Sequence, residues 1–309
     1  MNNGKIAAVI LAAGSSSRMG GKKKEFLKMK RYEFDPVIPV IDEKFSLNNL
    51  TVLGSSVNAF SSVPSVEIIV IVVPENNEAA ARDALPPEFL TTVKPEIHFI
   101  SGGSTRRASV YNALSFLAQI SQHSPSVNYV LIHDGARPWI SSSLIENIIT
   151  AVIKHDAVIP LLPLTDTPKE TVSSEQLAVS SEQLTENREQ GTINREQLTE
   201  NREQGTINRE QLTENREQGT INREQLTVNS EIDKVFFIKK HLKRRNVGLA
   251  QTPQAFRFPE IFHAHEKAVL AANEEFTDDA EIWGRFCGLV AVIPGDPANK
   301  KITFKEDLY

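Results

Sequence analysis

The chain has 309 residues, enough for one large domain or two small ones. Hydrophobic residues make up 40% and charged residues 24%, ordinary for a globular protein, and a formal net charge of −5 leaves no basic footprint for nucleic acid. The single cysteine, Cys287, excludes an internal disulfide and a multi-cysteine metal site, and the longest apolar runs, such as 68–74, are too short to span a bilayer.

The first segment is Lys5 and a strand-like run with no cleavage-site pattern, so the expectation is a cytoplasmic protein without a signal or transit peptide. Residues 8–13 form a short apolar run, the pattern of a strand covered on both faces. Gly14 ends it, and Ser15, Ser16 and Ser17 follow with no bulky side chain. Small residues let backbone N–H groups approach an anion, and a following helix N-terminus would add its positive dipole end. Arg18 brings a fixed fork of donors, and Lys22, Lys23 and Lys24 bring point charges. That combination suits a polyphosphate. Neither the Walker spacing nor G-x-G-x-x-G is present, and taken alone the stretch reads equally as a surface turn followed by a solvated basic run.

Residues 29–53 read as an extended loop or short ribbon, and 52–60 as a helix. Residues 67–73, nearly all β-branched, give the second strand, ended by Pro74 and followed by a helix over 78–85. A third strand over 97–100 ends at Gly102-Gly103, and a helix over 104–118 should bury Ala108, Tyr111, Leu114 and Leu117. The fourth strand, 129–133, runs into Asp134-Gly135-Ala136-Arg137-Pro138, with His133 assigned to strand-end packing. A helix over 142–154 and a strand over 157–163 follow. Strands alternating with helices predict an α/β fold, a doubly wound and mostly parallel sheet, with ligands bound beyond the carboxyl ends of its strands. The polar loops 14–18, 102–107 and 134–138 fall at those ends.

From Glu175 a seven-residue unit repeats: EQLAVSS, then EQLTENR and EQGTINR in alternation, closing with EQLTVNS at Ser230. A coiled coil would need apolar residues at both a and d, and each unit has too few. Gly191, Gly205 and Gly219 stand where Leu would be, at about 1 kcal/mol per site in helix propensity. The block predicts a flexible, low-complexity insertion with no core of its own.

Beyond the repeat, 236–238 suggests a short strand and 239–245 a basic turn. Residues 258–272 predict a helix with Phe262, Val269 and Leu270 inward. Thr277-Asp278-Asp279 should cap a further helix over 280–287, with Cys287 a buried thiol at its end, and 289–294 should be the last core strand.

LAAGSSSRM with Lys24-Glu-Phe-Leu, Asp134-Gly-Ala-Arg-Pro138, Ala250-Gln-Thr-Pro-Gln254, Phe276-Thr-Asp-Asp-Ala280 and Asn299-Lys-Lys-Ile-Thr303 occur in this order. Together they resemble the 2-C-methyl-D-erythritol 4-phosphate cytidylyltransferase family of the non-mevalonate isoprenoid pathway, over about 5–170 and 240–309. The first motif is shared by many nucleotidyltransferases, whereas the later set in this order is more specific. The resemblance implies a Rossmann-like nucleotidyltransferase: one domain over 1–309, with a core of 1–164 and 246–309. A protruding β-arm over 165–245 would carry the repeat insertion 175–230 at its tip.

The resemblance also implies transfer of a cytidylyl group from CTP to methylerythritol phosphate with release of pyrophosphate. Arg18 and Lys24 would hold the triphosphate and Lys301 would steer the attacking phosphate. Ala12, Ala13, Gly14 and Ser15 would meet CTP through the backbone, and Gly103, Ser104 and Ser109 would line the cytosine and ribose pocket. Asp134 and Arg137 would meet the ribose and the acceptor, together with Thr167, Thr277 and the phosphate-positioning Arg244, Arg245 being one residue out of step. Mg²⁺ would bridge CTP phosphates rather than sit in a protein cage. The arm implies a homodimer, with no nucleic acid or membrane partner. Two other readings fit parts of the chain. One is a ribitol-5-phosphate cytidylyltransferase, which would keep the CTP loop and differ at the acceptor-facing residues. The other is a non-catalytic binding protein acting through the repeats.

Overall fold

The computed structural model describes residues 5–14, 23–29, 50–91, 95–122, 126–173, 236–271 and 274–308. The chain divides into two compact units, Met1–Pro163 with Gly248–Tyr309, and Leu164–Val247. Expectations for Ser15, Ser16, Ser17, Arg18, Lys22, most of 29–53 and the repeat 175–230 lie outside the described residues.

The first unit is built on one eight-stranded sheet. Strand β1 (Lys5–Leu11) lies at its centre, hydrogen-bonded in parallel to β2 (Val66–Val73) and to β4 (Val127–Asp134); β3 (Glu96–Ser101) continues the parallel order beyond β2. On the other side, β9 (Gln254–Arg257) runs antiparallel between β4 and β5 (Ala157–Pro163). Strand β10 (Ala291–Pro294) pairs in parallel with β5, and β8 (Gly248–Ala250) pairs with β5 antiparallel.

The side-chain period of two divides β1 between two cores. Ala8 and Ile10 face helices α1 (Val52–Ser61) and α4 (Ser142–His155), among Leu53, Val57, Phe60, Ile145 and Ile148. Ala7 and Val9 face α3 (Arg106–Ser121), α5 (Glu260–Leu270) and α6 (Asp279–Phe286), among Val110, Leu114, Leu117, Phe256 and Ile261. Burial on both faces explains why the first, second and fourth strands are continuous apolar runs in the sequence. Each fully buried Ile or Leu contributes about 1.5–3 kcal/mol. Short polar residues start the helices: Thr51 Oγ1, Thr105 Oγ1, Ser141 Oγ and Asp278 Oδ1 accept from the N–H groups of Gly54, Ala108, Leu144 and Glu281. The sheet and its flanking helices confirm the doubly wound, mostly parallel fold.

Several local expectations are corrected. Helix α3 begins at Arg106, so Ser104 and its cap Thr105 precede it, and its buried face is Ser109, Val110, Ala113, Leu114 and Leu117, with Ala108 and Tyr111 half-buried. Helix α5 buries Ile261, Ala264, His265 and Ala268, while Val269 and Leu270 are exposed. The inward stripe keeps helical spacing but carries a histidine and two alanines, so apolar size misjudges it. Cys287 is exposed rather than buried, just past the end of α6. Leu289 is also exposed and precedes β10. Residues 248–256 contribute two antiparallel strands, β8 and the start of β9, whose lengths of three and four residues are too short to leave a periodic signal in the sequence.

In the second unit, β6 (Lys169–Ser173) and β7 (Phe236–His241) form an antiparallel two-stranded ribbon, pairing Lys169 with His241 and Ser173 with Phe236. Lys239 and Lys240 therefore lie in a strand, not a turn, and a short 3₁₀ turn follows at Arg244–Asn246. Phe236, Phe237 and Ile238 are exposed on this ribbon.

Candidate active site

The loops after β1, β3 and β4 meet at the carboxyl end of the sheet. Ala12 N–H donates to the Val72 carbonyl (2.8 Å), Gly102 N–H to Val73 (2.7 Å) and Gly135 N–H to Leu11 (2.9 Å). A Cβ on Gly102 would stand 2.5 Å from Ala13 Cβ, so the first and third loops touch and only glycine fits between them. A Cβ on Gly135 would stand 2.9 Å from the Leu11 carbonyl oxygen. Gly135→Ala is therefore expected to cost about 1–3 kcal/mol by forcing the Asp134 loop off β1. Urea unfolding of the variant checks this, and an unchanged midpoint would contradict it.

Helix α1 secures the same loop, since Ser55 Oγ donates to the Pro138 carbonyl (2.7 Å) and Ser56 Oγ to that of Gly135 (3.2 Å). The last segment of the chain docks on it, with Ile302 N–H donating to the Ala136 carbonyl (2.8 Å). Lys24 Nζ donates to the Ile302 carbonyl (2.6 Å), and Lys23 Nζ to that of Gly14 (2.7 Å). Lys24 is thereby tied to the residue that follows Lys301, which lies far from it in sequence.

Asp134 is the anionic centre of that rim. Its Oδ2 lies 2.8 Å from Lys301 Nζ and 3.8 Å from Arg137 Nε, and its Oδ1 lies 3.7 Å from Arg106 Nε. Burial alone would raise its pKa, but Lys301, Arg106 and Arg137 outweigh it and hold the carboxyl well below the usual range. Arg106 also binds Asp279, Nη2 to Oδ2 at 2.8 Å. Burial works against the Arg106 charge, and the two carboxylates more than offset it, raising its pKa above the ordinary value. Arg137 donates from Nη1 to the Asn299 carbonyl (2.8 Å) while its Nε is buried without a hydrogen-bond partner among the described residues.

The hydrogen bonds around His133 fix its tautomer. Asp134 N–H donates to Thr252 Oγ1 (3.1 Å), which leaves the Thr252 hydroxyl hydrogen for His133 Nδ1 (3.1 Å). Nε2 then carries the ring proton and donates to the Arg137 carbonyl (3.2 Å). Burial pushes the His133 pKa down to about 4, against the pull of Asp134 and the hydrogen bonds. An unfolded His titrates near 6.5, so the unfolded chain binds more protons between the two values and stability rises with pH there. Unfolding free energy is expected to fall by up to about 3 kcal/mol from pH 7 to pH 4, a loss set by the shift to about 4. His133→Gln should flatten that slope in urea titrations across the range, and an unaltered slope would assign it elsewhere.

The remaining expected residues divide between the units. Gly103 and Ser104 lie at the rim, Ser104 exposed and Gly103 also open to solvent; buried Ser109 accepts from Gly103 N–H (3.1 Å) and donates to the Thr105 carbonyl (2.9 Å), shaping the loop from behind. Thr277 is exposed beside α6, its N–H and hydroxyl donating to Glu281 Oε2 at 2.7 and 2.9 Å. Thr167 and Arg244 belong to the second unit, where Arg244 Nη1 donates to the Thr165 carbonyl (2.6 Å). Sequence reasoning missed Arg106, Thr252 and Asp279 as site-forming groups. The Arg shortly after Gly102-Gly103 was the one available signal for the first of them.

Among the described residues no group of three His, Cys, Asp or Glu could hold a metal ion. Asp134, the rim carboxylate, is already engaged by three cations, so the donor set suits a metal carried by a phosphate ligand rather than one caged by the protein. No helix among the described residues is long and apolar enough to cross a membrane.

A mostly parallel α/β sheet with glycine-containing loops and cations around Asp134 at its carboxyl rim is the arrangement of a nucleotidyltransferase fold. The profile of the family described as IspD, 2-C-methyl-D-erythritol 4-phosphate cytidylyltransferase, matches residues 42–232 and 206–309. The chain belongs to this family. It is 28% identical to the bifunctional enzyme IspD/IspF of Bartonella henselae over 303 residues, covering 98% of this chain and 55% of that protein. The corresponding protein of Bartonella bacilliformis is 27% identical, with 98% and 55% covered. The chain thus spans about half the length of the curated relatives it matches. Its fold is similar to that of a 4-diphosphocytidyl-2C-methyl-D-erythritol synthase from Anaerococcus prevotii, at a TM-score of 0.60 and 23% identity over 99% of this chain and 95% of that one. The 2-C-methyl-D-erythritol 4-phosphate cytidylyltransferase of Thermus thermophilus superposes with a TM-score of 0.56 at 21% identity, over 98% and 95%.

Proposed function

We propose that the chain transfers the cytidylyl group of CTP to the phosphate of 2-C-methyl-D-erythritol 4-phosphate. An acceptor phosphate oxygen attacks the α-phosphorus in line. The bond from that phosphorus to the bridging oxygen breaks, and pyrophosphate leaves with the electron pair. Such a reaction needs positioning and charge neutralisation more than proton transfer. The observation that carries the reading is the segment Lys301-Ile302, whose lysine pairs with Asp134 and whose Ile302 carbonyl receives Lys24, at the carboxyl end of the sheet.

In this reading Arg18 and Lys24 hold the triphosphate and stabilise the crowded phosphorus, and Lys301 steers the attacking phosphate. The backbone of Ala12, Ala13, Gly14 and Ser15, with Gly103, Ser104 and Ser109, forms the nucleotide cradle. Asp134 accepts from ribose hydroxyls, and Arg137, Thr167, Arg244 and Thr277 meet the acceptor. Mg²⁺ bound to the triphosphate supplies further neutralisation of the phosphate oxygens. The ribbon of β6 and β7, with exposed Phe236, Phe237 and Ile238, suits pairing with a second copy of the chain.

The test is pyrophosphate release by purified protein with CTP, UTP, ATP and GTP, each offered methylerythritol phosphate or ribitol 5-phosphate. Release with CTP and methylerythritol phosphate alone is expected. Release only with ribitol 5-phosphate would replace the acceptor, and none with any pair would overturn the reading.

A further inference from the structure

Behind Arg106 lies a buried polar chain that the proposed reaction does not use. Asp279 and His265 are both fully buried, with His265 Nε2 at 3.3 Å from Asp279 Oδ1. Asp279 Oδ2 takes the Arg106 Nη2 at 2.8 Å. Its backbone is clamped as well: Gln254 Oε1 accepts from the N–H groups of Asp279 (3.1 Å) and Ala280 (3.0 Å), and Gln254 Nε2 donates to Asp278 Oδ2 (2.7 Å). Asp279 is therefore fixed by strand β9 and Arg106, while His265 of helix α5 stands at ion-pair distance from its Oδ1, neither atom having a hydrogen-bond partner among the described residues.

The two contacts of Arg106 are unequal. The guanidinium is hydrogen-bonded to Asp279 but stands 3.7 Å from Asp134 Oδ1, close enough to attract and too far to bond. We propose that Asp279, with His265 at ion-pair distance behind it, is a positioning residue that tethers Arg106 short of closing on Asp134. The tether keeps Asp134 Oδ1 free to receive a nucleotide hydroxyl. Without it, the guanidinium would swing onto Asp134 and occupy that oxygen in a charge-assisted pair. A buried ion pair adds little net stability over an apolar pair of the same volume, so a purely structural role gives no reason for three polar groups here. The unequal contacts do: a guanidinium held by one carboxylate cannot collapse on the other. The proposal rests on the functional reading above in that the ligand is CTP.

The test measures CTP affinity by calorimetry, which needs no acceptor, together with KM and kcat. Asp279→Asn keeps the volume and removes the charge that holds Arg106. It is expected to weaken CTP binding and raise KM for CTP about tenfold, with kcat changed less than threefold. Combining it with Arg106→Gln should add less than the two single losses, because the released guanidinium is the agent of the defect. His265→Leu should raise KM at least threefold, and His265→Gln, which returns an N–H to the Nε2 position, should restore it. If Asp279→Asn fails to fold, the two His265 variants decide. A lowered melting temperature with unchanged CTP affinity in the variants would make the chain a structural ion pair and overturn the proposal alone. Wild-type protein that binds no CTP would overturn the proposal and the functional reading together.

Discussion

Lys301→Ala is expected to lower kcat by about 10²- to 10³-fold, the loss typical of removing one preorganised charge partner of a transition state. Its Nζ lies 2.8 Å from Asp134 Oδ2, at the mouth of the rim and beside the carbonyl that binds Lys24. The side chain is 44% exposed, so its pair with Asp134 contributes at most about 1 kcal/mol to the fold. Turnover and stability should therefore separate: a collapsed kcat with a urea midpoint close to that of the parent. In the proposed reading Lys301 steers the attacking phosphate rather than holding the nucleotide, so KM for CTP should move far less than kcat. Wild-type kcat in the variant would remove Lys301 from the chemistry.

Asp134→Asn should act on the fold first. The carboxylate is buried and faces Lys301, Arg106 and Arg137. Neutralising it leaves three cations without their common counter-charge. Breaking a buried pair from one side costs about 3–5 kcal/mol, and the solvent reach of Lys301 puts this case near the lower end. The sign against pH follows from the lowered pKa of Asp134. Its contribution is full above the ordinary carboxylate range, near pH 4, and is lost as pH falls toward the folded value. The loss from Asp134→Asn should be largest at neutral pH and shrink below pH 4, while the His133 slope occupies the window above. Urea titrations at pH 7 and pH 3 measure the difference. An equal loss at both would mean that the ionised form does not carry the effect.

The central sheet was legible because its inner strands are covered on both faces and so read as apolar runs, most clearly β1, β2 and β5. The rim was legible for a related reason. Small and charged residues interrupt those runs where the strands end, and the glycines at 102, 103 and 135 mark places of close approach. What escaped depends on distance along the chain or on polar residues inside the core. Arg106 finds Asp279 across 173 positions, and no local pattern announces that pair. His265 sits in an inward helical stripe where hydrophobic periodicity expects a large apolar residue. The Ser109 hydroxyl bonds to the loop backbone, a contact that no residue spacing in the sequence announces. Cys287 looked buried among Trp283, Phe286 and Leu289, but the helix ends at Phe286 and the turn that follows brings it outward.

Strand β9 has a consequence for how the molecule is assembled. Among the described residues it alone joins β4 to β5, since those two strands do not pair with each other, and it lies beyond the repeat block in sequence. Until the ribosome has delivered it, the parallel strands β1 to β4 end in a raw backbone edge at β4, and β5 stands apart from them. A message truncated inside the repeats would thus yield not a smaller working protein but a sticky one, its β4 edge left bare.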